Sequence, residues 1–282
     1  MKKILFPTDF SLASNNAFIY ALKMAARLDA KITTLHAYQR PDLSAVHLPN
    51  TLREVYDSID LETFESYRDA IPVLHQIAEE AGLDHLEWDN LMIEGDTLKT
   101  ILGVAQKEEV DFIIMGSWGA SGIREVLKGS LAGEIMEHAA CPVLMVPDEA
   151  VFDGKIDHIA FTTTFSEVEE KALIWLAQLA DSFSATLHCL NVDTANVEFH
   201  LKRMETLKAK FNDYSHIKFI SLSGNDIEAE LIEYMEAHQI DFLGMLMKKR
   251  NFWQELFNYS HTKKMAYHSH RPVLSIREEM VG

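Results

Sequence analysis

The chain has 282 residues, room for about two domains of ordinary size, with 48% hydrophobic residues, 24% charged residues and a formal net charge of −17. That composition excludes fibrous and disordered chains, and no apolar run approaches the roughly 20 residues of a membrane-spanning helix. The acidic excess lies on both sides of Pro147 and argues against nucleic-acid and membrane-surface partners. The opening MKKILFPTDF lacks an apolar secretory core, and two cysteines, Cys141 and Cys189, are too few for a disulfide framework, so a reducing, cytoplasmic setting is expected.

In chain order, β-rich apolar runs occur at Ile4–Thr8, Ile32–Ala37, Leu86–Ile93, Phe112–Met115 and Val143–Val146. Between them, helical spacing predicts helices over Asn15–Leu28, about Leu61–Ala81, Thr97–Gln106 and Ser130–His138. Gln39 to Asn50, with Pro41 and Pro49, reads as a loop. Strand and helix alternate throughout, which predicts an α/β fold with a parallel sheet and helices on both faces.

The pattern then repeats. ILFPTDFS (4–11) matches IAFTTTFS (159–166) at an offset of 155, while VDFIIMG (110–116) matches IDFLGML (240–246) at an offset of 130. Pro142-Val143-Leu144 likewise matches Pro272-Val273-Leu274 at the second offset. The change of offset assigns 25 extra residues to the first copy, between its second strand and third helix. Two domains follow, 1–147 and 148–282, with the boundary near Pro147-Asp148-Glu149.

Chemistry is concentrated after the fourth predicted strand, where Gly116-Ser117-Trp118-Gly119 is followed after nine residues by Gly129-Ser130. Glycines there allow backbone amides close to a ligand, and a helix starting near Ser130 offers unsatisfied N–H groups to a phosphate. The spacing is neither of the two commonest phosphate motifs. Turn glycines with Ser130 as a helix cap would give the same pattern. Asp9 ends the first predicted strand, and in a doubly wound sheet strands one and four are neighbours, which places Asp9 beside Gly116. The alternative is that Asp9 or Ser11 only caps the next helix.

Elsewhere the signals are weaker. Eight of the 13 histidines lie in the second copy, including His188 beside Cys189, and His268 and His270, but no CxxC or HExxH exists and no metal site is assigned. Cys141 reads as a small buried hydrophobe. No nucleophile–base constellation stands out, so no catalytic residue is assigned.

Asp9 in PTDFS, the glycine spacing from Gly116 to Ser130 and the closing CPVLMVP (141–147) together resemble the nucleotide-binding branch of the universal stress protein family, over nearly the whole chain as two tandem copies. The resemblance implies two Rossmann-like domains, each an open five-stranded parallel sheet with helices on both faces. It also implies an ATP site, with magnesium or manganese on the phosphates, in copies that keep the loop. Carried over, Asp9 contacts ribose or adenine, the backbone at Ala37 meets adenine, Pro7 and Met115 line its pocket, and Gly116, Gly119, Gly129 and Ser130 hold ribose and phosphates. Trp118 departs from the polar or basic residue common there, which leaves Arg124 and Lys128 nearest the terminal phosphates.

The second copy has Leu246, Lys249 and Tyr259 at the three glycine positions and Thr164 at that of Asp9, so it is expected not to hold ATP. Lys248-Lys249-Arg250 there reads as a solvated turn or a different anion site. Family pairing through the last strand implies that Pro142–Val146 and Pro272–Ile276 join within one chain as a pseudo-symmetric dimer; further homo-oligomers would need another surface. The expected role is stress adaptation through nucleotide-dependent conformation or a protein partner. Rival readings are a slow ATP hydrolase or nucleotidyl transferase, and a scaffold that holds an apolar ligand or metal through the second copy.

Overall fold

The computed structural model describes residues 1–41, 52–117, 131–193, 197–224, 226–247 and 271–280. Among them run β1 (Lys2–Pro7), α1 (Leu12–Leu28), β2 (Ala30–Tyr38), α2 (Leu52–Glu80), β3 (Trp88–Glu94), α3 (Thr97–Lys107), β4 (Phe112–Gly116), α4 (Leu131–His138) and β5 (Val143–Val146). The second half follows with β6 (His158–Thr162), α5 (Glu167–Phe183), β7 (Thr186–Asp193), α6 (Val197–Lys210), β8 (Ile217–Ser223), α7 (Ile227–Ala237), β9 (Phe242–Met247) and β10 (Val273–Arg277).

All ten strands belong to one sheet, in the order β3-β2-β1-β4-β5-β10-β9-β6-β7-β8. Each half therefore has the order 3-2-1-4-5, parallel throughout, as the alternating pattern predicts. The internal repeat extends to the register: Pro7 pairs with Leu35 as Thr162 pairs with Leu190, and Ile4 pairs with Phe112 as Ile159 pairs with Phe242. The halves meet where β5 and β10 pair antiparallel, Val143 opposite Ser275, Leu144 opposite Leu274 and Met145 opposite Val273. Each strand thus fills the other's open edge, which would otherwise expose a row of unpaired backbone groups.

Strands buried on both faces read as unbroken apolar runs, and FIIMG in β4 and VLMV in β5 are buried at every position. Successive side chains divide between two layers. Ile4 and Phe6 of β1 join a cluster that runs across both halves, under α1 and α5, to Phe161, Phe242, Leu274 and Ile276. On the other face the core divides into two clusters: Leu5, Ile113 and Met115 lie with Ile101 of α3 and Ile135 of α4, joined by Met247 of β9, while Ala160, Leu190 and Met245 lie with Met235 of α7. Across the junction, Phe112 and Trp175 approach to 5.7 Å between ring centroids. Arg27 at the end of α1 donates to Ser182 O at 2.5 Å and to Ser184 Oγ at 3.1 Å.

The 25-residue excess of the first copy lies where the offsets put it. β2 ends at Tyr38 and α2 starts only at Leu52, whereas β7 ends at Asp193 and α6 starts at Val197; α2 has 29 residues and α6 has 14. Helix α2 starts nine residues before the predicted Leu61, and Leu52, Val55, Tyr56 and Ile59, at helical spacing in the sequence, account for the longer span. Arg40 forks onto the Asp60 carboxylate and also lies 3.4 Å from Glu94. Pro72 sits inside α2, at a position that removes one backbone donor from the helix.

Because one face is a shared core and the sheet is continuous, the full chain is expected to unfold in a single calorimetric transition; two resolved transitions would show independent halves. Leu144→Ala, at the buried centre of the β5·β10 pairing, should cost about 2–5 kcal/mol in denaturant unfolding, mostly from the cavity it leaves.

Candidate functional site

In an order 3-2-1-4-5, the connections from β1 and β4 leave on opposite faces of the sheet, so a crevice opens beyond their carboxyl ends. β1 stops at Pro7, two residues before Asp9, because the chain turns there: Thr8 N still donates to Leu35 O at 2.9 Å, but Phe10 is left-handed, with φ of 59°. The turn is held by Thr8 Oγ1, which accepts from Phe10 N at 3.0 Å, and by Asp9 Oδ1, which accepts from Ser11 N at 3.1 Å. Ser11, not Asp9, caps α1, accepting from Ser14 N at 3.2 Å. Asp9 is exposed, while Thr8 and Ser14 are buried, with Ser14 Oγ donating to Thr8 Oγ1 at 2.8 Å.

The predicted residues gather around this turn in part. Pro7 is buried at the end of β1; Ala37 is half-buried in β2 opposite Ile93; Met115 is buried in β4 opposite Met145. Gly116 ends β4, and continuing the β1·β4 register places it level with Thr8. Its missing Cβ also lets the helix pack close: a Cβ there would lie 3.0 Å from Ala13 O and 3.2 Å from Ser14 N, in the first turn of α1. Gly119, Gly129 and Ser130, with Trp118, Arg124 and Lys128, lie outside the described residues.

Sequence reasoning assigned nothing to three residues that the fold brings here. Ser117 follows Gly116, donates its backbone N–H to Val146 O at 2.8 Å, and has a buried hydroxyl oxygen with no hydrogen-bond partner among the described residues. His36 donates from Nδ1 to Thr8 O at 2.9 Å, since a carbonyl can only accept. Its ring lies 5.3 Å from Phe10 and 6.0 Å from Tyr67 of α2, which itself lies 5.8 Å from Phe10. A serine between two glycines was visible in the sequence; contacts spanning residues 10, 36 and 67 had no local signal.

The second half repeats the turn with other residues. Phe165 is again left-handed, with φ of 56°, its N–H donates to Thr163 Oγ1 at 2.8 Å, and Asn191 Nδ2 donates to Thr163 O at 2.8 Å in the role of His36. Leu246, at the place of Gly116, is buried; Lys248, Lys249, Arg250, Tyr259, Ser260, His268 and His270 lie outside the described residues. His188 is engaged in a packed chain, 2.8 Å from Tyr234 Oη and 3.2 Å from His158 Nδ1, with the His238 ring 5.9 Å away. Among the described residues no group of three or more His, Cys, Asp or Glu side chains could hold a metal ion. Burial pushes the Cys141 thiol up to about 12 and raises that of Cys189, so both behave as buried hydrophobes. No described helix is long and apolar enough to cross a membrane.

The sequence model described as the universal stress protein family matches residues 1–147. A universal stress protein of Methanocaldococcus jannaschii is 33% identical over 147 residues, 51% of this chain and 81% of the relative. Universal stress protein YxiE of Bacillus subtilis is 26% identical over 144 residues, 51% of this chain and 97% of the relative. The crystal structure of a universal stress protein from Archaeoglobus fulgidus superposes with a TM-score of 0.73 at 19% identity, covering 98% of this chain and 96% of that one, so the fold is shared along both halves.

Burial, with Lys218, His158 and His238 adding repulsion, lowers the His188 pKa from 6.5 to about 4. Between those values the unfolded chain binds the proton and the folded chain resists it, so stability conferred by neutral His188 is complete above pH 6.5 and is lost as the pH falls toward 4. Urea melts at pH 7 and pH 4.5 should differ by about 1–3 kcal/mol less in His188→Asn than in the wild type.

Proposed function

The chain belongs to the universal stress protein family, and from that premise we propose that it is a stress-response protein binding one ATP, in domain 1–147, at the crevice between β1 and β4. Ser117 carries the reading: its buried hydroxyl oxygen at the end of β4, without a partner among the described residues, is placed to meet a polar group of a ligand. Asp9, exposed on the adjoining turn, supplies the acceptor that a ribose hydroxyl or an adenine amino group needs. Pro7, Met115 and the backbone at Ala37 form the base end of the site, and Gly116, Gly119, Gly129 and Ser130 form its ribose and phosphate end. A magnesium or manganese ion would enter on the phosphates.

Binding, not turnover, is the proposed activity, and its output is a change in the conformation or partner binding of the chain in the cytoplasm. Domain 148–282 has Thr164 for Asp9 and Leu246 for Gly116, and serves as the paired second half rather than a second ATP site.

Calorimetric titration of the full chain with ATP and magnesium should give one site. Replacing Gly119 by Lys and Gly129 by Tyr, the residues of the second copy, should eliminate it, and Asp9→Ala should weaken it by roughly 1–3 kcal/mol through loss of one hydrogen-bonding group. Unchanged affinity in the double variant would refute the site. With ATP at about 100 times its Kd, linkage predicts roughly 2.7 kcal/mol of added stability.

A further inference from the structure

Helix α2, lengthened by the extra segment of the first copy, docks through residues spaced by two turns, which share one face of a helix. Asp60 receives the Arg40 fork, Tyr67 packs on Phe10 and His36, and Leu74 is wholly buried in the core. Tyr67 is therefore anchored on both sides along its own helix. Arg40 follows β2 and also lies 3.4 Å from Glu94, so the fork ties α2 to the carboxyl ends of β2 and β3. The contact at Tyr67 falls on the turn that carries Asp9. Thr8 is pinned at both ends: its N–H donates to Leu35 O at 2.9 Å, and its carbonyl accepts from His36 Nδ1 at 2.9 Å. Phe10 is left-handed, with φ of 59°, a conformation that costs a residue with a Cβ and persists only where its surroundings hold it. Its ring lies 5.3 Å from His36 and 5.8 Å from Tyr67, which are 6.0 Å from each other, so the turn, β2 and α2 meet in a triangle of rings. The second half keeps the strand-side bond, from Asn191 Nδ2 to Thr163 O at 2.8 Å, but its Phe165 ring lies 6.3 Å from Phe219 of β8.

We propose that the extra segment is a brace for the nucleotide site: His36 from β2 and Tyr67 from α2 are positioning residues that preset the Thr8–Phe10 turn, and with it Asp9, for a ribose or base. This rests on the reading that domain 1–147 binds ATP with Asp9 as an acceptor. Neither residue has to touch the nucleotide. A carboxylate held in place in the free protein loses less freedom on binding than one on a loose turn, so the brace adds affinity without adding a contact. The coupling is reciprocal: whatever loosens α2 weakens nucleotide binding, and bound nucleotide tightens the docking of α2.

The full-length chain tests this by calorimetry with Mg-ATP and by amide hydrogen exchange without nucleotide. Tyr67→Ala and His36→Leu should each weaken ATP binding roughly fivefold or more and speed exchange of the Phe10 amide by a similar factor. Tyr67→Phe keeps the ring and His36→Asn keeps a donor, as Asn191 does in the second half, so each should stay within about threefold of the wild type. The deciding arm uses Asp9→Ala. In that background Tyr67→Ala should change ATP affinity less than about twofold, because a residue that acts through Asp9 has nothing left to place. Should Tyr67→Ala fail to fold, Arg40→Gln, which undoes the fork two turns away, carries the same expectations. A Tyr67→Ala chain with wild-type affinity, or a loss of affinity that persists undiminished in the Asp9→Ala background, overturns the proposal. A wild type that takes up no ATP removes the nucleotide reading and the brace together, whereas equal binding by wild type and Tyr67→Ala removes the brace alone.

Discussion

The antiparallel pairing of β5 with β10 is the constraint on which the architecture rests. A parallel α/β half with the order 3-2-1-4-5 ends in a short strand whose outer backbone groups have nothing to bond. Two such halves in one chain can satisfy both edges at once, and Leu144 opposite Leu274, each almost wholly buried, seals the joint with side chains as well as hydrogen bonds. The direction of the pairing has a geometric consequence. Because every other pairing is parallel, the carboxyl ends of the strands in the two halves point in opposite directions, and the two turns, at Thr8–Ser11 and Thr163–Ser166, stand at opposite ends of the sheet.

The same joint makes the two faces of the sheet unequal. On one, α1 and α5 share a continuous apolar layer, and the halves cannot separate without exposing it. On the other, α3 with α4 and α7 each cover their own half. Helix α1 links the candidate site to the joint. Its first turn is capped by Ser11 beside Asp9, its last turn carries Arg27 against the end of α5, and its 17 residues span about 25 Å between them. A rigid helix fixed at both ends ties the geometry of the turn to the contact between halves.

Duplication preserved the backbone of the turn and changed what fills it. A left-handed phenylalanine at 10 and 165, a threonine hydroxyl receiving its N–H, and a side chain from the second strand donating to the threonine carbonyl occur in both halves. These groups satisfy backbone polarity in either half. What differs is where the negative charge lies: outward at Asp9, inward at Glu169. Phe10 also carries a cover that its counterpart meets differently. Tyr67, on the long helix α2 belonging to the extra segment, packs against Phe10 and His36, whereas Phe165 faces Phe219 of β8.

Much of this was legible in the chain. Alternating strand and helix periods defined the α/β class, the offsets of 155 and 130 reproduce the registers of both halves, and the place of the 25 extra residues was correct, because periodicity and self-similarity are properties of neighbouring residues. Asp9 and Gly116 were legible as a pair for the same reason, since the strand order follows from the class. Only the tertiary structure decided what individual atoms do there. It ended β1 at Pro7 and gave the helix cap to Ser11, it made Gly116 a packing contact for Ala13, it buried the Ser117 hydroxyl without a partner among the described residues, and it turned Glu169, one of many acidic residues on a helix, into an acceptor for the backbone of the turn. Each of these depends on distances between segments far apart in sequence or on which side of a helix faces the sheet, and such distances exist only once the chain has folded.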